Sequence, residues 1–222
     1  SDFKIRSFTA AGLAFLSFLA LYLGHFYLKI FICLLSAILF FEWMRIISQT
    51  QWIIRGLIAL VFSSFVYFTD GYTALDLLFI ISGSIIISSF SAYFSISPFW
   101  SCFGFIYILT SLCFLEYLRN FENGLLAILL IISTIIISDV SGYIFGKYFS
   151  GPKIFKKISP NKTYSGFFAS ITLGTLWFST LSIIYSLHQP IIFIIIGFFI
   201  VVFSITGDLL ISYLKRKANL KD

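Results

Sequence analysis

Eight apolar runs, separated only by short polar breaks, constrain this 222-residue chain more than any other feature. They fall at about 8–24, 28–47, 52–69, 74–91, 99–118, 124–148, 165–187 and 190–214. Each is near the roughly 20 residues a helix needs to cross a bilayer, and most are apolar all round rather than on one face. Only 11% of the residues are charged, and 29 are phenylalanine. That leaves no polar coat for a soluble globule, where about a quarter of residues would be charged. The expected fold is therefore all-α and polytopic, with about eight transmembrane helices in a single membrane domain over 1–222. Helices within 1–123 are expected to be scaffold, and those within 124–222 to carry the chemistry. The first run follows Lys4 and Arg6 and could mimic a signal peptide. No small-residue cleavage site follows it, so it is read as the first span. The turn between the fourth and fifth spans rests on Pro98 and the serines around it, since Ser91 to Pro98 carries no charge.

The net charge of +6 could suggest nucleic acid in a soluble chain. Here it is read as cytoplasmic loops facing an anionic leaflet, with no nucleic-acid partner. With the N-terminus inside, thirteen of the fifteen basic residues fall on the cytoplasmic side, leaving only Lys29 and Arg119 outside. The positive-inside rule favours this arrangement. A seven-span count would put the basic 147–162 segment or the basic C-terminus outside. Cys33, Cys102 and Cys113 lie in apolar stretches with no CxxC or Cys/His cluster, so neither a disulfide nor zinc is expected. No internal repeat is visible, which weakens an inverted-repeat transporter.

Two acids fall well inside spans, Asp139 and Asp208. Ionisable groups at membrane depth are costly and suggest function; the alternative is a structural polar contact between helices. Gly142 and Gly146 share a face with Asp139 and form GxxxG. That pattern serves close helix packing, and it can also leave room for a ligand beside a carboxylate. Ser212 and Lys215 lie on the stripe of Asp208, flanked by Arg216 and Lys217. A carboxylate able to hold Mg²⁺ near cations able to hold phosphate suits nucleotide chemistry. The basic cluster alone would be no more than an anchor. The polar loop 146–167 contributes Lys147, Lys153, Lys156, Lys157 and Lys162 without one acid, together with Ser159, Asn161 and Thr163. It suits a polyphosphate or an anionic headgroup, and equally a non-specific attraction to anionic lipid at about 1 kcal/mol per basic residue.

Three stretches, in this order and spacing, resemble the signature of the bacterial phosphatidate cytidylyltransferases (CDP-diacylglycerol synthases). They are Ser138-Asp139-Val140-Ser141-Gly142-Tyr143 with Gly146, Ser159-Pro160-Asn161-Lys162-Thr163-Tyr164-Ser165-Gly166, and Gly207 to Asp222. The likeness covers the C-terminal half. The N-terminal half agrees only in character, including Phe40 to Ile46. Val140 and Ser141 replace the family's Thr-Gly, and Ser165 stands in place of its Glu.

The resemblance implies transfer of a cytidylyl group from CTP to phosphatidate, giving CDP-diacylglycerol and pyrophosphate, with Mg²⁺ as cofactor. Asp208 and Asp139 would hold the metal. Lys215 and Arg216 would act with Asp208 on the phosphates. Lys156, Lys157, Ser159, Asn161, Lys162, Thr163 and Ser212 would bind substrate. Membrane lipids are implied partners, and a homodimer is compatible with it. The location implied is a bacterial inner membrane with a cytoplasmic active face. In the family the Lys-Asp pair is followed by proline, H-G-G-x-x-D-R-x-D and a final helix. On that reading the chain as given is truncated and inactive. Two rival functions stay open at this point, a CTP-dependent lipid-alcohol kinase and a non-enzymatic transporter or channel. The kinase would need a base for its hydroxyl nucleophile, and none is obvious.

Overall fold

The structure, a computed structural model, describes residues 2–69, 74–155, 159–185 and 190–218. Lys156, Lys157, His188 and Asp222 lie outside the described residues. The eight expected spans correspond to eight helices: α1 (Asp2–Leu23), α2 (His25–Ile47), α3 (Trp52–Phe68), α4 (Ala74–Tyr93), α5 (Pro98–Arg119), α6 (Gly124–Phe149), α7 (Tyr164–Ile184) and α8 (Pro190–Lys217). Among the described residues, six helices are long and apolar enough to cross a membrane; α3 and the apolar part of α1, Ala11–Leu23, are shorter. At 1.5 Å per residue the 17 residues of α3 still span about 25 Å. This is an all-α, multi-pass membrane protein.

The turn between α4 and α5 falls where the serines and Pro98 placed it. Helix α4 ends at Tyr93, and α5 opens with Pro98 at its first position, where a missing N–H is harmless and the fixed φ suits a helix. Gly24 alone separates α1 from α2. It holds φ +65°, in the left-handed region that glycine enters without steric penalty.

The chain divides into two compact units, Ser1–Leu125 and Leu126–Asp222. In the first, α2, α3, α4 and α5 form a closed ring of neighbours, with α1 against α2. The buried residues of α2 recur every fourth position, at Leu28, Ile32, Ser36, Phe40 and Met44, so one stripe of the helix faces the bundle. Phe40 meets Phe105 of α5 at a centroid distance of 5.8 Å. Arg55, one of the thirteen basic residues counted on the cytoplasmic side, is fully buried. Its guanidinium donates to the carbonyls of Ser48 (2.7 Å), Met44 (3.0 Å) and Thr50 (3.0 Å), and to Ser101 Oγ (3.3 Å). The C-terminal carbonyls of a helix carry partial negative charge, and Arg55 meets it at the end of α2, sharing the Met44 carbonyl with Ser48 N and donating to the Ser48 and Thr50 carbonyls just beyond the helix. Arg119 does the same for α1, donating to the carbonyls of Leu21 (2.6 Å) and Tyr22 (3.2 Å).

The second unit holds α6, α7 and α8, with a small hairpin the sequence did not suggest. Strand β1 (Lys153–Phe155) pairs antiparallel with β2 (Ser159–Thr163), with Lys153 opposite Thr163 and Phe155 opposite Ser159. Helices α6 and α7 meet through small residues. A Cβ added to Gly166 would lie 2.5 Å from the Gly142 carbonyl, and one on Gly146 would lie 3.0 Å from Thr163 Oγ1. Ser170 Oγ donates to the Ser138 carbonyl at 2.8 Å. The GxxxG face is therefore filled by α7 and leaves no room there for a ligand.

Candidate active site

The hairpin and the start of α7 fix Lys162. Strand β2 runs directly into the helix. Thr163 is the N-cap: its Oγ1 accepts from Gly166 N at 3.2 Å and lies 3.1 Å from Ser165 Oγ. A side-chain oxygen here satisfies one of the orphan N–H groups of the first turn. Tyr164 N donates to the Pro152 carbonyl at 3.0 Å, closing the base of the hairpin. Lys162 thus sits between a strand pairing and a helix cap, on backbone with little freedom.

Lys162 Nζ donates to Asp208 Oδ2 of α8 at 2.9 Å. The lysine side chain is 31% exposed and the aspartate 68% exposed, so the pair is open to solvent and to ligands. Asp139 of α6 is also exposed, and it lies within electrostatic range of both Asp208 and Lys162. One residue from each of the three motifs is thereby gathered in one place within this unit. The depths agree as well. Asp139 lies ten residues before the end of α6 and Asp208 nine before the end of α8, about 15 and 14 Å at the usual helical rise.

Lys215 and Arg216 form part of the basic last turn of α8, with Ser212 half-buried one turn earlier on the stripe of Asp208. Ser159 opens β2 and is half-buried. Asn161 lies in the middle of β2. The Thr163 hydroxyl is engaged as the cap. The hairpin and the cap were not anticipated, although a threonine just before an apolar run, Thr163, is a legible N-cap signal.

Two carboxylates beside a lysine suit a hard divalent cation that keeps water or phosphate oxygens among its ligands, as Mg²⁺ does. Among the described residues no group of three or more His, Cys, Asp or Glu is arranged as a self-sufficient metal cage. The donor set fits an ion shared with a phosphate-bearing substrate.

Comparison with known proteins agrees with the motifs. A phosphatidate cytidylyltransferase of Rickettsia typhi is 31% identical over 161 residues, covering 68% of this chain and 69% of that protein. One from Brucella melitensis is 24% identical over 230 residues, covering all of this chain and 83% of the relative. One from Aquifex aeolicus is 34% identical over 110 residues, covering 49% of this chain and 41% of the relative. The chain thus spans well under the full length of some of these proteins. No solved structure matches it. These relatives speak for a nucleotidyltransferase rather than a lipid-alcohol kinase or a transporter. The cytidylyltransferase family profile matches residues 4–222, nearly the whole chain, and the protein belongs to that family.

Proposed function

We propose that this membrane nucleotidyltransferase moves a cytidylyl group from CTP to phosphatidate, giving CDP-diacylglycerol and pyrophosphate. The observation that carries the reading is the 2.9 Å pair of Lys162 and Asp208, with Asp139 in electrostatic range of both. A phosphate oxygen of phosphatidate attacks the α-phosphorus of CTP, and the bond to pyrophosphate breaks. A phosphate monoester is already nucleophilic at neutral pH, so no general base is needed. His25, at the start of α2, takes no part.

Lys162 is the chain's own counter-cation for Asp208. Being part-exposed, its ammonium can also meet a triphosphate or the lipid phosphate. Lys215 and Arg216 extend the positive potential along α8, and Lys156, Lys157, Ser159, Asn161 and Ser212 are further substrate contacts in this reading. Asp208 and Asp139 would hold Mg²⁺, whose chemistry is to neutralise phosphate charge and align an in-line displacement. The N-terminus and the 147–162 segment face the cytoplasm of a bacterial inner membrane, where CTP is available. The distribution of basic residues supports this orientation.

The test is transfer of labelled CTP to phosphatidate by the protein expressed from its whole reading frame. Lipid-dependent release of pyrophosphate is expected, and CTP-dependent phosphorylation of diacylglycerol would show the kinase instead. A single cysteine in place of Lys153 is expected to resist a membrane-impermeant maleimide in intact cells. Labelling from outside would reverse the topology.

A further inference from the structure

The buried residues of α7 recur along one stripe, at Gly166, Ser170, Gly174 and Phe178. At Gly174 this stripe meets two helices at once. A Cβ built there would lie 2.7 Å from Val201 Cγ2 of α8 and 3.1 Å from Ser138 Cβ of α6. Asp139 follows Ser138 directly. Asp208 lies seven residues beyond Val201, two turns along the same face of α8. Taking Asp139 and Asp208 as the carboxylates that hold Mg²⁺, a role that rests on the function proposed above, we propose that Gly174 is a positioning residue: it sets their spacing so that one divalent cation can reach both.

Neither neighbour can yield cheaply to a side chain at this position. Val201 is fully buried, and a β-branched residue in a helix has one strongly preferred χ1 rotamer, so Cγ2 cannot swing aside. Ser138 is also fully buried, and its carbonyl accepts from Ser170 Oγ at 2.8 Å, one turn before Gly174 on α7. That bond pins α6 to α7 beside the contact. Non-bonded carbons rest at about 3.5–4.0 Å, so Gly174→Ala would part α8 from α6 by roughly 1 Å. Mg²⁺ favours near-ideal octahedral geometry at about 2.0–2.1 Å, and a misplacement of about 1 Å can cost roughly a hundredfold in rate. Lys162 is mounted on β2 and the cap of α7 rather than on this contact. The hold on the CTP phosphates should therefore change much less than the hold on the metal.

Mn²⁺ reports on the two carboxylates without turnover, because electron paramagnetic resonance distinguishes its bound and free forms. Its binding is measured in detergent on the protein expressed from its whole reading frame, beside cytidylyl transfer and a melting curve. Gly174→Ala is expected to weaken Mn²⁺ binding about tenfold or more and to lower kcat by about thirtyfold or more, with KM for CTP within about threefold. Adding Val201→Ala removes the methyl that the new Cβ would meet. The double variant is expected to return Mn²⁺ binding and kcat to within about threefold of the unaltered protein. A lower melting temperature with Mn²⁺ binding unchanged, or no rescue in the double variant, would overturn the proposal. Should Gly174→Ala not fold, Val201→Leu loads the same contact from α8. It is expected to weaken Mn²⁺ binding about fivefold, and unchanged binding overturns the proposal. Asp208→Asn tells the two levels apart. If it leaves Mn²⁺ binding intact, the carboxylate site and the role of Gly174 fall together. If Asp208→Asn loses Mn²⁺ and Gly174→Ala does not, the role of Gly174 falls alone.

Discussion

Two cations, one in each unit, show what separates a structural charge from one that stays open to a ligand. Arg55 in the first unit is fully buried, and its guanidinium is held by three carbonyls and a serine hydroxyl. Lys162 in the second is part-exposed and pairs with the still more exposed Asp208. Sequence alone ranks the two alike: each is a basic residue near the end of an apolar run. The surroundings invert their meaning. Arg55 donates to carbonyls at a helix end and has nothing to exchange. Lys162 and Asp208 hold each other in a pairing worth little to stability, since exposed ion pairs contribute about 0–1 kcal/mol. A substrate can therefore replace either partner without unfolding anything. The same logic separates the acids. Asp76 is buried at a helix start with Thr69, whereas Asp139 and Asp208 are exposed.

The most severe way to break this comparison is Asp208→Asn. If Asp208 belongs to an open catalytic site, neutralising it removes a metal ligand while leaving the fold intact. Losing such a contribution is worth several kcal/mol of barrier, so cytidylyl transfer should fall by about 10³-fold with thermal stability nearly unchanged. The labelled-CTP assay and a melting curve in detergent check both halves. Near-normal turnover would remove Asp208 from the site, and a large drop in stability would put it in the same class as Arg55.

Arg55→Met is the counterpart. Methionine fills much of the same volume but takes the guanidinium donor from the Ser48 and Thr50 carbonyls, while the Met44 carbonyl keeps Ser48 N. Each unsatisfied buried group costs about 1–3 kcal/mol. Some relief from water at the helix end leaves an expected loss of about 3 kcal/mol in stability. Specific activity per folded molecule should stay within about twofold. A folded Arg55→Met protein without activity would mean that this buried arginine reaches the chemistry.

How legible each unit was follows from the same contrast. The eight helices could be read because bilayer length and apolarity are properties of a run of residues and need no tertiary knowledge. The pairing of Asp139, Lys162 and Asp208 could be anticipated only as three motifs carrying opposite charges. Their meeting depends on α6 packing on α7 through Gly142, Gly166 and Ser170, and on α8 packing on α7 at Gly174 and Gly197, contacts that apolar periodicity does not reveal. The hairpin was hidden by its shortness: β1 has three residues and β2 five, too few to show a period. The burial of Arg55 was not legible, because a count of loop charges does not distinguish a buried arginine from a solvated one. Nothing in Trp52-Ile53-Ile54-Arg55 says that carbonyls of α2 and a serine of α5 will surround it.

The smallest effect tests how rigidly the open site is mounted. Thr163→Ala removes the hydroxyl that caps α7 and contacts Ser165, next to the residue that holds Asp208. A lost N-cap costs about 1 kcal/mol, so the melting temperature should drop by a few degrees. Lys162 follows directly before the cap, so fraying there moves its ammonium and weakens the hold on phosphate. The expected result is a rise of about three- to tenfold in KM for CTP, with kcat changed by less than about twofold. Thr163→Ser keeps an acceptor in the same place and should restore both values. If Thr163→Ala lowers stability but leaves KM untouched, the cap serves only α7, and Lys162 is positioned by its strand alone. If Thr163→Ser restores stability but not KM, the threonine touches substrate directly, as the sequence motif suggested, and the open site includes one more residue than its exposed charges.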